Sequence, residues 1–289
     1  MRLLVLGAAG QLGGDLMAAA AGRGIAAQGA GRAEADLADA AALRGFVDAT
    51  PFDALVNCAA LVNTEAIEGD PAPALAVNGR AAAVMAEACA ARGARFVQVS
   101  TDYVFGGDAT RRTPLVETDP PAPVNAYGLS KLYGETLAGL AGGDVSVFRV
   151  ASVFGVRGAG GKGGNFVETM IRVGRERGRL SVVADQVMSP TSTAWAAAAI
   201  LAFLDRGGPP GVYHAANTGA VSWFDFARAI VARAGVAAEV APVSAAEWPS
   251  VARRPAWSAL DNRKLAGVIG PIPGWEEALD DYLAAKRHV

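Results

Sequence analysis

The opening of the chain narrows its fold more than any other stretch. Leu3 to Leu6 is an apolar run of strand length, and it passes directly into Gly7-Ala8-Ala9-Gly10-Gln11-Leu12-Gly13 and a helical pattern from Gln11 to Ala21. Glycines at such a junction let the backbone turn tightly and approach a ligand with no Cβ in the way. The helix start then offers N–H groups and a partial positive charge to a phosphate. An isolated glycine triplet is a plain turn as readily as a binding loop. Set between a first strand and a first helix, it predicts a dinucleotide cradle formed by Gly7, Gly10, Gln11, Leu12 and Gly13.

Strand and helix keep alternating after the cradle. Short strands are expected near Ile25 to Gln28 and at Ala54 to Asn57, Phe96 to Val99 and Val145 to Val150. Helices are expected at Ala38 to Ala49, Pro71 to Ala91 and Tyr127 to Leu140. Continuous apolar strands separated by helices indicate a parallel sheet covered on both faces, with right-handed crossovers. The fold class is therefore α/β: a Rossmann-type doubly wound parallel sheet with a smaller C-terminal substrate-binding α/β domain. A length of 289 residues suits two domains. The boundary is set at 154, giving an NADP(H)-binding domain over 1–154 and a mainly substrate-binding one over 155–289. Segments near 181–217 are left open to return to the first sheet. Past the boundary, Gly155 to Gly164 reads as a glycine-rich loop. Helices follow at Asn165 to Arg177, Thr193 to Leu204, Trp223 to Ala234 and Trp275 to Ala285, with strands at Leu180 to Val183 and Val212 to Ala215.

Composition removes several function classes. A net charge of -2 gives no attraction for nucleic acid or an anionic membrane surface. The two cysteines, Cys58 and Cys89, cannot make a disulfide framework and read as buried thiols of a reducing compartment. His214 and His288 are the only histidines, so a His–Cys zinc cluster is out of reach and no metal site is read. Met1 to Leu6 is too short for a secretory core, and no uninterrupted apolar run reaches membrane-spanning length. The expectation is a cytoplasmic protein, monomer or homodimer, acting on a small molecule.

Tyr127 and Lys131 carry the chemistry. Four residues apart on one helix, they share a face one turn apart. A phenol titrates near ~10 in water, and a nearby ammonium lowers that value. The pair is thus a device for moving a proton to or from a substrate oxygen. The fourth strand ends at Ser100-Thr101-Asp102-Tyr103-Val104-Phe105, and ligands bind at the carboxyl ends of parallel strands. That places Thr101 to hydrogen-bond a substrate carbonyl. Asn78, in the long third helix, reads either as a clamp on backbone or water near the site or as a packing residue. Cofactor choice falls after the second strand, where an acid suits NAD and an arginine suits the 2′-phosphate of NADP. The strand runs into Gly29-Ala30-Gly31-Arg32 with no acid at its tip, which favours NADPH, with NADH as the alternative. Asp36 and Leu37 follow as an acid–apolar pair placed for the adenine.

Gly7 to Gly13, Asn57-Cys58-Ala59-Ala60, Ser100 to Phe105 and Tyr127 to Glu135 resemble the extended short-chain dehydrogenase/reductases. Asn165-Phe166, Asp185-Gln186, Ser189-Pro190-Thr191, Tyr213-His214 and Arg254-Pro255 with Ser258 and Leu260 resemble, more narrowly, the dTDP-4-dehydrorhamnose reductase family. The resemblance implies NAD(P)H-dependent reduction of the C4 keto group of a nucleotide-linked 4-keto-6-deoxy sugar. It implies a hydride delivered to C4, Tyr127 as proton donor, Thr101 stabilising the alkoxide, and Lys131 serving Tyr127 and the nicotinamide ribose. Ala59 and Ala60 would lie against the cofactor, and Arg254 would hold the diphosphate. Asp102, Val104, Phe105, Asn165 and Gln186 complete the implied substrate contacts.

The chain departs from the family pattern in places. Val150-Ala151-Ser152 stands where Thr-Ser-Trp is common, and a hydroxymethyl in place of an indole enlarges and polarises the sugar pocket. Gly106-Gly107 replaces an Asp-Gly, and Glu65 and Glu68 follow Thr64 where an apolar residue and Asp are usual. A dehydratase needs a glutamate where Tyr103 stands, so elimination lacks its base. Another sugar-nucleotide reductase or an epimerase remains open. So does a non-catalytic NADP-binding regulatory subunit resembling the beta subunit of methionine adenosyltransferase, although a pure binding module need not keep Thr101, Tyr127 and Lys131.

Overall fold

The computed structural model describes residues 1–157 and 164–288, so 158–163 of the expected glycine-rich loop lie outside the described residues. The chain runs β1 (Arg2–Leu6), α1 (Gln11–Gly22), β2 (Ala26–Ala30), α2 (Ala40–Ala49), β3 (Ala54–Asn57), α3 (Thr64–Gly69), α4 (Ala72–Ala74), α5 (Ala81–Arg92), β4 (Arg95–Thr101), α6 (Ala126–Leu140) and β5 (Val145–Val150). It continues through β6 (Val153–Phe154), α7 (Phe166–Arg177), β7 (Arg179–Val183), β8 (Val187–Met188), β9 (Thr191–Ser192) and α8 (Thr193–Asp205). β10 (Gly211–His214), β11 (Val221–Ser222), α9 (Trp223–Arg233), β12 (Glu239–Val243), α10 (Arg263–Ile269) and α11 (Trp275–Ala285) complete it.

Six strands form one parallel sheet in the order β10-β5-β4-β3-β1-β2. Alternate residues of β1 supply opposite cores, as a period of two requires. Leu3 and Val5 pack with Leu16, Val56, Phe148, Ile200 and Phe203 on one face. Leu4 and Leu6 pack with Leu43, Leu55, Met85 and Phe96 on the other. A sheet buried on both faces explains why its strands read as continuous apolar runs. The chain leaves β1 for β2 on one side and crosses back to β3 on the other. That reversal is the switch point where doubly wound sheets bind ligands, and the glycine turn sits on it.

The sheet takes its sixth strand from beyond residue 154, since β10 pairs with β5 from Gly211↔Ser146 to His214↔Arg149. A separate core gathers Phe154, Val167, Ile171, Leu180, Phe226, Ile230, Leu279 and Leu283 from α7, α9, α11 and neighbouring strands. In that second body β12 pairs in parallel with β7, and Pro242 is tolerated because β12 belongs to a two-stranded sheet with a free edge.

The long helix expected from Pro71 to Ala91 is interrupted. Its middle, Leu75–Arg80, is a π-helical turn between α4 and α5. Such turns concentrate at functional sites, and this one presents Asn78. Helices α3 and α10 and the two-residue strands were not expected. The six residues of α3 are too few for a periodic signal, and its start is fixed by the Asn63 side chain accepting from Ala66 N. Among the described residues, no helix is long and apolar enough to cross a membrane.

Candidate active site

The cradle is built from backbone pressed on backbone. Gly7 holds φ +76°, and a Cβ there would lie 2.7 Å from Ala59 N. A Cβ on Gly13 would lie 2.2 Å from Gly7 O. The turn is tied to the second strand by Gly7 N and Ala8 N, which both donate to Ala30 O, at 2.9 and 3.3 Å. Helix α1 starts at Gln11 with no side-chain cap and no acid in its first turn, which leaves its positive end for an anion. Gln11 Oε1 is buried without a protein partner, and buried polar atoms are rarely left unpaired. A close-approach turn, an uncapped helix start and an orphaned acceptor fit a dinucleotide.

The β2 tip is less committed. Arg32 is exposed and lies 3.9 Å, Nε to Oδ2, from Asp36. Asp36 Oδ1 accepts from Ala38 N at 3.0 Å, and Leu37 is buried. The expectation of no acid at the tip needs correction. Glu34 folds back so that its Oε2 accepts from Gly31 N at 2.9 Å.

Thr101, Tyr127 and Lys131 come from β4 and α6. Asn125 caps α6, its Oδ1 accepting from Gly128 N at 2.8 Å. Gly128 lets the helix start press against the chain after β4, since a Cβ there would lie 2.0 Å from Tyr103 O. Thr101 is buried; its hydroxyl donates to Asp102 Oδ1 at 3.1 Å and accepts from Tyr103 N at 3.2 Å. The Tyr127 phenol lies near the Thr101 hydroxyl, and the Tyr103 and Tyr127 rings meet edge to face at 5.8 Å.

The electrostatics reverse one expectation. Burial, with Asp102 and Tyr103 nearby, raises the Tyr127 phenol above its ordinary value. Lys131 is engaged with β4. Its Nζ is buried and donates to Val99 O at 2.7 Å, and burial lowers it to about 8. At Tyr127 desolvation outweighs the nearby Thr101 hydroxyl, and at Lys131 it outweighs the attraction of Glu135. A high phenol value keeps a proton donor loaded, which is the state reduction needs. Asp102 is buried and pushed up to about 6 by desolvation, against hydrogen bonds from Ser258 Oγ (2.5 Å) and Thr101.

Two polar supports hold this constellation. Asn78 clamps the loop after β3: Oδ1 accepts from Leu61 N at 2.8 Å, while Nδ2 donates to Leu61 O and Ser130 Oγ at 3.0 and 2.9 Å. One turn past Lys131, Glu135 accepts from Arg149 Nη2 at 2.6 Å and Ser100 Oγ at 2.5 Å, joining α6 to β4 and β5. Ser152, at the departure from the family pattern, holds φ +43°, a left-handed conformation that costs a residue with a Cβ about 1 kcal/mol or more.

A cavity of about 530 Å³ lies in the second body. Phe166, Met170, Trp223, Gln186, Trp248 and Arg254 are on its wall. Tyr127 and Thr101 are not; the link is Arg254, whose charge lies near the Tyr103 phenol. Of the implied substrate contacts, Gln186 and Arg254 reach the cavity. Three side chains are corrected to interior roles. Val104 and Phe105 are buried in a cluster with Leu115, Ala151 and Leu260. Asn165 caps α7, its Nδ2 donating to Gly155 O at 3.0 Å and Tyr282 Oη at 3.1 Å, so its polar atoms are already used. Ala59, beside the cradle, donates its N–H to Asn57 Oδ1, and Ala60 follows it, half-buried. The aromatic wall of Phe166, Trp223 and Trp248 was not read from the sequence, because residues 25 to 82 apart share no local pattern.

A doubly wound parallel sheet with a glycine cradle at its switch point, and a threonine, a tyrosine and a lysine at its carboxyl edge, defines a class: Rossmann-type oxidoreductases. The family model described as RmlD substrate binding domain matches residues 1–288, and the chain belongs to that family. It is 41% identical to a dTDP-4-dehydrorhamnose reductase of Burkholderia thailandensis over 96% of this chain and 97% of that protein. A Clostridium acetobutylicum dTDP-4-dehydrorhamnose reductase has a structure with a TM-score of 0.92, 32% identity, and coverage of 99% and 100% of the two chains. The Bacillus anthracis dTDP-4-dehydrorhamnose reductase, whose structure is a complex with NADP, superposes with a TM-score of 0.90 at 33% identity, covering 98% and 99%.

Proposed function

We propose that this chain is an NADPH-dependent reductase of the C4 keto group of a dTDP-linked 4-keto-6-deoxy sugar, the dTDP-4-dehydrorhamnose reductase reaction of dTDP-L-rhamnose biosynthesis. One observation carries the reading. The Thr101–Tyr127 hydroxyl pair sits at the carboxyl edge of a dinucleotide-type sheet, in a chain matched along nearly its whole length by reductases of such sugars. The NADP in the Bacillus anthracis structure supports the cofactor.

The cradle residues Gly7, Gly10, Gln11, Leu12 and Gly13 bind the pyrophosphate, with Arg32 at the adenosine end. When bound, NADPH supplies the hydride. Thr101 turns its hydroxyl from Asp102 to the sugar C4 oxygen and stabilises the negative charge that develops there. Tyr127 gives its phenolic proton to that oxygen, and the raised phenol keeps this proton in place until the oxygen becomes basic. Lys131 bonds the nicotinamide ribose from its seat beneath β4. Arg254 and Gln186 hold the nucleotide end, since a guanidinium matches diphosphate geometry. Residues 1–154 chiefly carry the dinucleotide and 155–289 chiefly the substrate, with β10 and α8 serving the first sheet. The protein works as a monomer or homodimer in the cytoplasm, consistent with two free cysteines.

The test is direct. Purified protein is mixed with NADPH and dTDP-4-keto-6-deoxyhexose, and nicotinamide absorbance is followed. Oxidation supports the proposal; tight cofactor binding without oxidation would replace it with the regulatory-subunit reading.

A further inference from the structure

Residues 248–254 form a strap with no helix or strand of its own. It contributes Trp248, Ser250, Ala252, Arg253 and Arg254 to the cavity wall. What holds it is a carboxylate far away in sequence. Glu65, in the first turn of α3, accepts from Ser250 Oγ at 2.7 Å and Arg254 Nη2 at 2.9 Å through Oε1. Through Oε2 it accepts from Val251 N at 2.8 Å and Ala252 N at 3.2 Å. Arg254 also donates to Ser250 Oγ. A second tie runs from Asn125 Nδ2 to Arg253 O at 2.7 Å.

An exposed ion pair by itself contributes little, and the Glu65–Arg254 pair is partly exposed. The arrangement here is different in kind. One carboxylate takes four donors, two of them main-chain, so it sets the path of the strap as well as the direction of one side chain. Charge-assisted bonds of this sort are about twice as strong as neutral ones. Glu65 is absent from the cavity wall, so its influence passes through the strap. Trp248 is half exposed at the cavity, which leaves indole surface for an occupant to cover.

We propose that Glu65 is a positioning residue for the nucleoside-diphosphate end of the substrate: it latches the 248–254 strap and aims the Arg254 guanidinium along the cavity wall. The ligand's identity rests on the sugar-nucleotide reading, while the latch stands on geometry alone. The same carboxylate also orders Arg254, which cannot swing into solvent without leaving Glu65 and Ser250.

The full-length protein and its Glu65→Ala and Glu65→Gln variants provide the test, with dTDP as the probe. For Glu65→Ala, the Kd for dTDP and the KM for the sugar nucleotide rise about tenfold, the size expected for losing charge-assisted hydrogen bonds. NADPH affinity and kcat change by less than about twofold, because the cradle and Tyr127 are untouched. Trypsin cuts faster after Arg253, and dTDP slows the cut in the unmutated chain. Glu65→Gln, which keeps an acceptor for the strap N–H groups, gives a smaller loss. Unchanged dTDP affinity and unchanged cleavage in Glu65→Ala would overturn the latch. So would a parallel fall in NADPH affinity, dTDP affinity and melting temperature, which marks a merely structural glutamate. If the unmutated chain fails to bind dTDP while Glu65→Ala still speeds cleavage, the latch is supported and the nucleotide assignment is overturned.

Discussion

The cradle and the strap hold ligand-facing surface in opposite ways. At the end of β1, backbone meets backbone: Gly7 against Ala59, and Gly13 against Gly7. Leu3 to Leu6 of β1 and all of β3 beneath are buried, so the turn has nowhere to move. At 248–254, a chain with no regular structure is held by side chains, and Glu65 reaches Ser250 across 185 positions of sequence. The first surface tolerates no added atom and is indifferent to charge. The second is held chiefly by one carboxylate, with Asn125 as a second tie. A fixed cofactor seat facing an adjustable substrate wall lets one sheet serve many sugars, because specificity is altered where the chain is held by side chains.

The sharpest attempt to break this division is Tyr127→Phe, which removes a proton donor and alters neither surface. We expect kcat to fall by ~10²–10⁴-fold, the usual worth of positioned acid catalysis. NADPH and dTDP affinities should stay within about twofold. Single-turnover NADPH oxidation gives the first quantity and calorimetry the others. A lost affinity would place the phenol inside a binding surface and end the separation.

Gly13→Ala strikes the backbone-built side alone. Its new Cβ would meet Gly7 O at 2.2 Å, and neither partner is a flexible side chain. Overpacking of this kind costs up to about 3 kcal/mol, so NADPH binding should weaken by up to about a hundredfold and the melting temperature should drop. The Kd for dTDP should hold. If dTDP affinity falls as far as NADPH affinity, the two surfaces are one cooperative unit.

How much was legible follows from the same contrast. The cradle, the parallel sheet and the Thr101, Tyr127 and Lys131 set are carried by short, contiguous patterns, and such patterns survive reading one residue at a time. The strap, the Asn78 clamp and the Asp102–Ser258 contact depend on partners 17 to 189 residues apart, and no periodicity encodes them. Val104 and Phe105 were expected at the substrate through the family resemblance, yet the chain turns them into the core. Position beside a site is a weaker guide than the direction of the side chain. The tuning of Tyr127 was also illegible. Spacing puts Lys131 one turn away, but it does not reveal that burial raises the phenol and lowers the ammonium.

Asp102 lies between the two surfaces and offers a pH test. Burial raises it to about 6 in the folded chain, from the 3.8 of an unperturbed aspartate. Below pH 4 it is protonated in both states and no penalty operates. Between about 4 and 6 the folded state binds the extra proton, so stability declines as pH rises. Above 6 the full cost applies. Asp102→Asn should therefore raise stability by on the order of 2 kcal/mol at pH 7, with the gain vanishing below pH 4. Urea melts across that range give the answer, and a pH-independent difference would show that Asp102 is charged and satisfied in the fold.

The smallest expected effect concerns the one part of the cofactor side that resembles the strap. The β2 tip is held by side chains: Glu34 on Gly31 N, and Arg32 loosely facing Asp36. Arg32 is 84% exposed, so its contact with a 2′-phosphate is screened and contributes no more than about 1 kcal/mol. Arg32→Ala should weaken NADPH about fivefold and NADH hardly at all. Glu34→Ala should shift the balance the other way, because removing a carboxylate near the same position relieves repulsion of the phosphate while freeing the Gly31 N–H. Competition of NADP and NAD against bound NADPH, repeated at low and high salt, separates the two effects. Screening shrinks the charge contribution at high salt and leaves any loss of turn geometry in place. If Arg32→Ala lowers NADPH and NADH affinity equally at both salt concentrations, the arginine shapes the turn rather than reading the phosphate. The β2 tip would then belong with the rigid cradle, and cofactor preference would have to come from the backbone.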